Sequence, residues 1–207
     1  MCIRDSMKAI NLLGLGLSTA AIVGIVVAIV VVLLIIIIAV AYISMKNGLI
    51  RVVNQTEESW AGIDVYLKKR YDLIPNLVET VKGYAKHESG TLEKVVAARN
   101  AAMNAQGVEA KAEAENMLSG TLKSLFALSE AYPDLKANAN FIDLQNQLKQ
   151  IESELANARK YYNATARQIN TKMQSFPSNI VAHFMHLSKF SYYEIEEEAR
   201  QNVKVQF

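Results

Sequence analysis

The chain has 207 residues, a formal net charge of +2 and a single cysteine, Cys2. That length accommodates one domain plus an anchor. One thiol excludes an intrachain disulfide framework, and near-neutrality argues against the clustered basic face of a nucleic-acid binder.

Residues 1–6 precede a second methionine, Met7, and share no pattern with the rest of the chain, so they read as a cloning or gene-assembly scar. Residues 7–19 form a short N-terminal segment. Residues 20–43, AAIVGIVVAIVVVLLIIIIAVAYI, carry no charge. As a helix they would span about 36 Å, against about 30 Å for a hydrocarbon core. In lipid no water satisfies the backbone, so a lone apolar segment is helical whatever its Val and Ile content. A core helix of a soluble protein keeps a polar face, and this stretch has none. Ala39-Val40-Ala41 resembles a signal-peptide cleavage site, but the apolar run before it is about twice the usual 7–15 residues. The reading is one transmembrane helix over residues 20–45. Ala20, Gly24 and Ala28 form a small-residue stripe of the kind that lets membrane helices approach closely, though chance in an alanine-rich segment is the simpler explanation. Lys8 lies before the span and Lys46 and Arg51 after it. Counted from Met7, the positive-inside rule tips slightly toward a cytoplasmic domain on a single-pass cell-membrane protein.

Asn47-Gly48 is a weak joint at most, since glycine costs about 1 kcal/mol in a helix interior. Trp60, Ile63, Leu67, Ile74, Leu77, Val81 and Tyr84 then recur in steps of three and four, with Arg70 filling the missing place. This is a helix seam. Pro75 inside it removes a backbone donor and crowds the Tyr71 carbonyl. It reads either as a bend that wraps the helix around its bundle or as a hinge with an exposed carbonyl. Ser89-Gly90-Thr91 is read as a break, with Thr91 as cap, and Gly107 as a clearer stop. A helix over residues 109–132 buries Ala114, Leu118, Leu122, Leu125 and Leu128 or Ser129, and Pro133 ends it in a turn. The last long helix, residues 140–176, carries a seam from Phe141 through Leu148, Leu155 and Tyr162 to Phe176. Its phase suits coiled-coil-like packing. Arg159 and Asn163 flank that seam. Residues 179–207 are a tail packed on or trailing the bundle.

The predicted fold is all-α: an N-terminal transmembrane helix followed by an antiparallel up-and-down bundle over residues 46–178. Arg70, Arg159 and Asn163 are candidate structural polar positions. A buried charge must be paired, so Arg70 is expected to meet a carboxylate or carbonyl on a neighbouring helix. No catalytic, cofactor or metal residue stands out. His183 and His186 lack a third ligand at defined spacing. There is no Gly-x-Ser-x-Gly elbow and no phosphate loop.

Three blocks resemble the LemA family: SWAGIDVYLKKRYDLIPNLVETVKGYAKHE over residues 59–88, AYPDLKANANFIDLQNQL over residues 131–148, and ARKYYNATARQINTKMQSFPSNIVA over residues 158–182. Departures are Tyr66, where the family usually has Gln, and Asn202, where it often has Pro. The resemblance implies an N-terminal membrane anchor carrying a four-helix up-and-down bundle with no established enzymatic activity. Some members are encoded near membrane metalloproteases, and one relative takes part in magnetosome membrane formation. The expected function is a non-catalytic scaffold or assembly factor at the bacterial cell membrane. Its expected partners are the lipid bilayer and a protein partner or a second copy, with no nucleic acid, small-molecule substrate or cofactor. The alternatives are an accessory subunit of a membrane protease or export system, and an enzyme with an unrecognised site in the bundle.

Overall fold

Residues Thr19–Tyr84 form one unbroken α-helix, α1, in the computed structural model, which describes residues 19–85 and 87–194. The leader, Cys2 and the acidic run Glu196–Glu198 lie outside the described residues. Asn47 and Gly48 sit inside α1 without a break, because one glycine costs less than an interrupted run of hydrogen bonds. The chain divides into two units, Met1–Gly48 and Leu49–Phe207. In the first, the helix is long and apolar enough to cross a membrane: an 18-residue window has mean hydropathy 3.8 and none of it is buried. Ala20, Gly24 and Ala28 all lie on its exposed surface.

The second unit contains the rest of α1, α2 (Ser89–Asn104), α3 (Val108–Ser129), α4 (Pro133–Lys136), α5 (Ala139–Gln174) and α6 (Ser178–Phe184). Four of these make an up-and-down bundle, and the pairings give its sense. Tyr84 meets Asn138, Arg70 meets Glu152 and Trp60 meets Tyr162, so α5 runs antiparallel to α1. Tyr71 meets Glu115 and Glu88 meets Tyr132, so α3 runs parallel to α1. The core is mostly the predicted seams, with Ile63, Leu67, Ile74, Leu77, Val81, Leu118, Leu125 and Leu155 at 1% exposure or less. Burying each such side chain stabilises the fold by roughly 1.5–3 kcal/mol.

The helix ends depart from expectation in ways that have local causes. The break falls over residues 85–88, and Ser89 and Gly90 open α2 instead of preceding it. Gly90 there sits in a first turn whose N–H groups lack intrahelical partners anyway. Tyr84, expected in the seam, is 42% exposed because the helix ends with it, and Ala85 is buried instead. Gly107 has φ +81°, a backbone state that favours glycine, and it stops the chain where predicted. Pro133 begins the one-turn helix α4, where its missing N–H costs nothing, and Leu135 becomes fully buried. Asn138 caps α5, its side-chain oxygen accepting from the Phe141 N–H at 3.0 Å. Phe176, the last predicted seam residue, lies beyond the end of α5 and is 81% exposed.

Pro75 lies inside continuous helix. Lacking an N–H, it leaves the Tyr71 carbonyl without its i+4 donor. Arg99 of α2 supplies one: its Nε donates to that carbonyl at 2.8 Å. The carbonyl is therefore spoken for by a neighbouring helix. Arg99→Met is expected to destabilise the protein by about 1–2 kcal/mol, since the lost bond is charge-assisted and half-buried. In a Pro75→Ala background, where residue 75 regains its own N–H, the same substitution should cost much less. Equal costs in the two backgrounds, from thermal melts followed by helical circular dichroism, would remove this account.

Candidate functional site

The concentrated chemistry of the second unit is a buried polar network between α1, α3 and α5. Arg70 is 4% exposed and Glu115 fully buried. Arg70 Nη1 donates to Glu115 Oε2 at 2.8 Å, and its Nη2 donates to Ser119 Oγ at 2.8 Å and lies 3.3 Å from Glu152 Oε2. The Tyr71 hydroxyl donates to the other Glu115 oxygen. Glu152 Oε1 in turn lies 3.5 Å from Nη1 of Arg159, itself 5% exposed. Two cations and two anions thus balance. Burial, then the hydrogen bond to the Glu115 carboxylate, pushes the Tyr71 hydroxyl well above the usual phenol range. Such a group stays a neutral donor at any physiological pH. It is built to hold Glu115 in place and is no use as a general acid near neutrality.

Arg159 extends the network to the C-terminal segment. Its guanidinium lies 4.7 Å from the ring centroid of Tyr193, a cation–π distance. Tyr193 is 1% exposed and also packs near Trp60, at 6.2 Å between centroids. Burial lifts its hydroxyl to about 12 even though the Arg159 charge opposes the rise. Among the described residues, Arg159 Nε and the Tyr193 hydroxyl are buried without a hydrogen-bond partner of good geometry.

Residues 187–194 have no helix or strand of their own and lie as a strap on α5. Asn170 Nδ2 donates to the Phe190 carbonyl at 2.9 Å, and the Phe190 N–H donates back to Asn170 Oδ1 at 2.9 Å. Asn163 does the same with Tyr193, at 2.9 and 2.8 Å. The two asparagines are two turns apart, about 10 Å of helix rise, which equals about three residues of extended chain. The spacing from Phe190 to Tyr193 therefore matches that of the clamps. Between them the Tyr162 hydroxyl donates to the Ser191 carbonyl at 2.9 Å.

The structure thus brings Arg70 and Arg159 into one network and sets Asn163 beside it as a strap clamp. Pro75 and the stripe of Ala20, Gly24 and Ala28 belong elsewhere. Glu115, Tyr71, Asn170 and Tyr193 were missed by sequence reasoning. Glu115 had a legible signal: it lies three residues before Leu118 and seven before Leu122, on the seam. Ala114, chosen for that place, is only half-buried. Among the described residues no three His, Cys, Asp or Glu side chains converge as a metal site requires, and His183 and His186 are exposed. A cleft of about 570 Å³ opens between the end of α1 and α2, lined by Val78, Lys82, Leu92 and Val96 among others. Its charged groups, Glu79, Lys82 and Glu93, are exposed, and the first two lie 3.7 Å apart as an ordinary surface pair.

The comparison with protein families agrees with the three sequence blocks. The model of the LemA family matches residues 59–207. The LemA protein of Metamycoplasma hominis is 27% identical over 167 residues, covering 78% of this chain and 74% of its own length.

Proposed function

Since the chain belongs to the LemA family, we propose that it is a single-pass, non-catalytic membrane protein that holds a helical bundle at the bacterial cell membrane and assembles there with protein partners or further copies. The observation that carries this reading is the contrast between the units. The first contains the charge-free run of residues 20–43, with none of its apolar window buried. In the second, among the described residues, the buried Arg70 and Glu115 pair with each other and the buried Arg159 meets the half-exposed Glu152. A wholly apolar exposed helix is stable only in lipid, and an interior of paired charges holds a fold together without presenting a reactive group. The bundle faces the cytoplasm in this reading, on the Lys46 and Arg51 count.

The full chain is expected to stay with membranes through alkaline carbonate extraction. Deleting residues 20–45 should release it to the supernatant. Recovery of the intact chain in the supernatant would sink the anchor reading. Crosslinking in native membranes followed by mass spectrometry tests the assembly reading. Reproducible crosslinks to one partner, or between copies, support it. A chain that crosslinks to nothing and runs as a monomer in detergent at all concentrations counts against it. A membrane protease as the dominant crosslinked partner would move the reading to an accessory subunit.

A further inference from the structure

After α5 the chain turns and α6 buries Val181 and Ala182 against the bundle. The opposite side of this segment is apolar too. Phe176, just before α6, is 81% exposed, and Ile180 and Phe184, one turn apart on α6, are 49% and 66% exposed. Outside the first unit, Phe176 and Phe184 are the most exposed large apolar side chains among the described residues. Single exposed apolar residues need no explanation, but three within nine residues do.

Two observations bear on what would cover this edge. The first is its place in the bundle. α1 and α5 are antiparallel, and Ser59 meets Thr165 at 3.1 Å. Beyond that pair α5 runs on to Gln174 while α1 runs back to Leu49, so α6 lies at the Leu49 end of the second unit. The covalent chain alone keeps Leu49 within about 20 Å of Ile43, the last residue of the apolar run. The second is charge. Between Glu154 and Glu194 the sequence contains no Asp or Glu, and Lys172 and Lys189 bracket the three apolar residues along the chain. Aromatic and aliphatic side chains bordered by lysines are the composition that settles at the boundary of headgroups and acyl chains, and the lysines suit anionic lipid.

We propose that the edge formed by Phe176, Ile180 and Phe184 is a second membrane contact, dipping into the bilayer interface. The inference rests on the anchor reading above. Its test uses the full chain with Cys2→Ser, reconstituted in vesicles of phosphatidylcholine and phosphatidylglycerol. Single nitroxide labels are attached at Phe176→Cys, Phe184→Cys, Ile36→Cys or Asn146→Cys. Collision with oxygen and with an aqueous relaxation reagent reports the depth of each. The label at 36 is expected deep in hydrocarbon and the label at 146 in water. Those at 176 and 184 are expected about 5–10 Å below the headgroups. Their oxygen-to-aqueous collision ratio should be several-fold above that at 146. Labels at 176 and 184 that match the one at 146 overturn the inference while the label at 36 upholds the anchor. A water-exposed label at 36 overturns both. Labels at 176 and 184 hidden from both reagents and dipolar-coupled between copies assign the edge to a protein contact, which also overturns it.

Discussion

Glu115→Ala is expected to cost about 3–5 kcal/mol of stability, the usual cost of removing one partner from a buried ion pair. Glu115 is fully buried and receives both Arg70 and the Tyr71 hydroxyl. Without it, Arg70 keeps Ser119 and Glu152, but Glu152 is 45% exposed and its attraction is screened by water. Tyr71 loses its acceptor outright. For a bundle of this size, about 2–4 °C of melting temperature is lost per kcal/mol, so the melt should fall by roughly 10 °C. Arg70→Leu is expected to be as damaging, because it strands the Glu115 carboxylate with one hydroxyl. Replacing both, Arg70→Met with Glu115→Leu, should recover most of the loss, since an apolar isostere often matches a buried pair. Melting temperatures of the two singles and the double decide the matter. A Glu115→Ala variant that melts within about 1 kcal/mol of the parent would mean that the network is incidental to stability.

Tyr193→Ala is expected to cost a further large amount, about 3–5 kcal/mol by analogy with other buried aromatics, and to release the strap. Tyr193 fills space beside Trp60 and under the Arg159 guanidinium. Tyr193→Phe should be neutral or slightly stabilising near pH 7, because the hydroxyl it removes is buried without a partner of good geometry. The contrast between the two variants separates ring packing from the hydroxyl. Alkaline pH tests the hydroxyl directly. Burial raises Tyr193 to about 12 from an ordinary value near 10. A raised value means that the contribution is fully present below pH 10 and is lost as pH climbs toward 12. Tyr193→Phe should therefore retain more of its stability than the parent across that window. Hydrogen exchange reads the clamps independently. The Phe190 and Tyr193 amides, which donate to Asn170 and Asn163, should be protected in the parent. They should exchange rapidly after Asn163→Ala with Asn170→Ala. Slow exchange of those amides in the double variant would show that the strap is held by something else.

Much of the fold is written in one-dimensional signals. An uncharged run longer than the thickness of a hydrocarbon core marks the membrane-length helix without reference to any other part of the chain. Steps of three and four mark the seams of α1 and α5, because a helix places those positions on one face whatever it packs against. The same periodicity put Arg70 on a buried face. Helix ends were less legible, since Pro133 and Gly90 are tolerated in a first turn and do not have to terminate a helix.

The partners were decided by the tertiary structure alone. Periodicity says which face of a helix is covered, never by which helix. Arg70 finds Glu115 across 45 residues, Arg99 finds the carbonyl left open by Pro75 across 28, and Asn163 finds the Tyr193 backbone across 30. Each contact depends on the up-and-down order and on the axial register of two helices, or of a helix and the strap. That register is set by how whole seams interlock, a property of the assembled bundle that no single segment carries. The sequence by itself therefore determined a membrane-length apolar helix, an all-helical domain and, at Arg70, one position where charge must be buried. Only the packed bundle decided how those charges are neutralised and where the C-terminal strap is held.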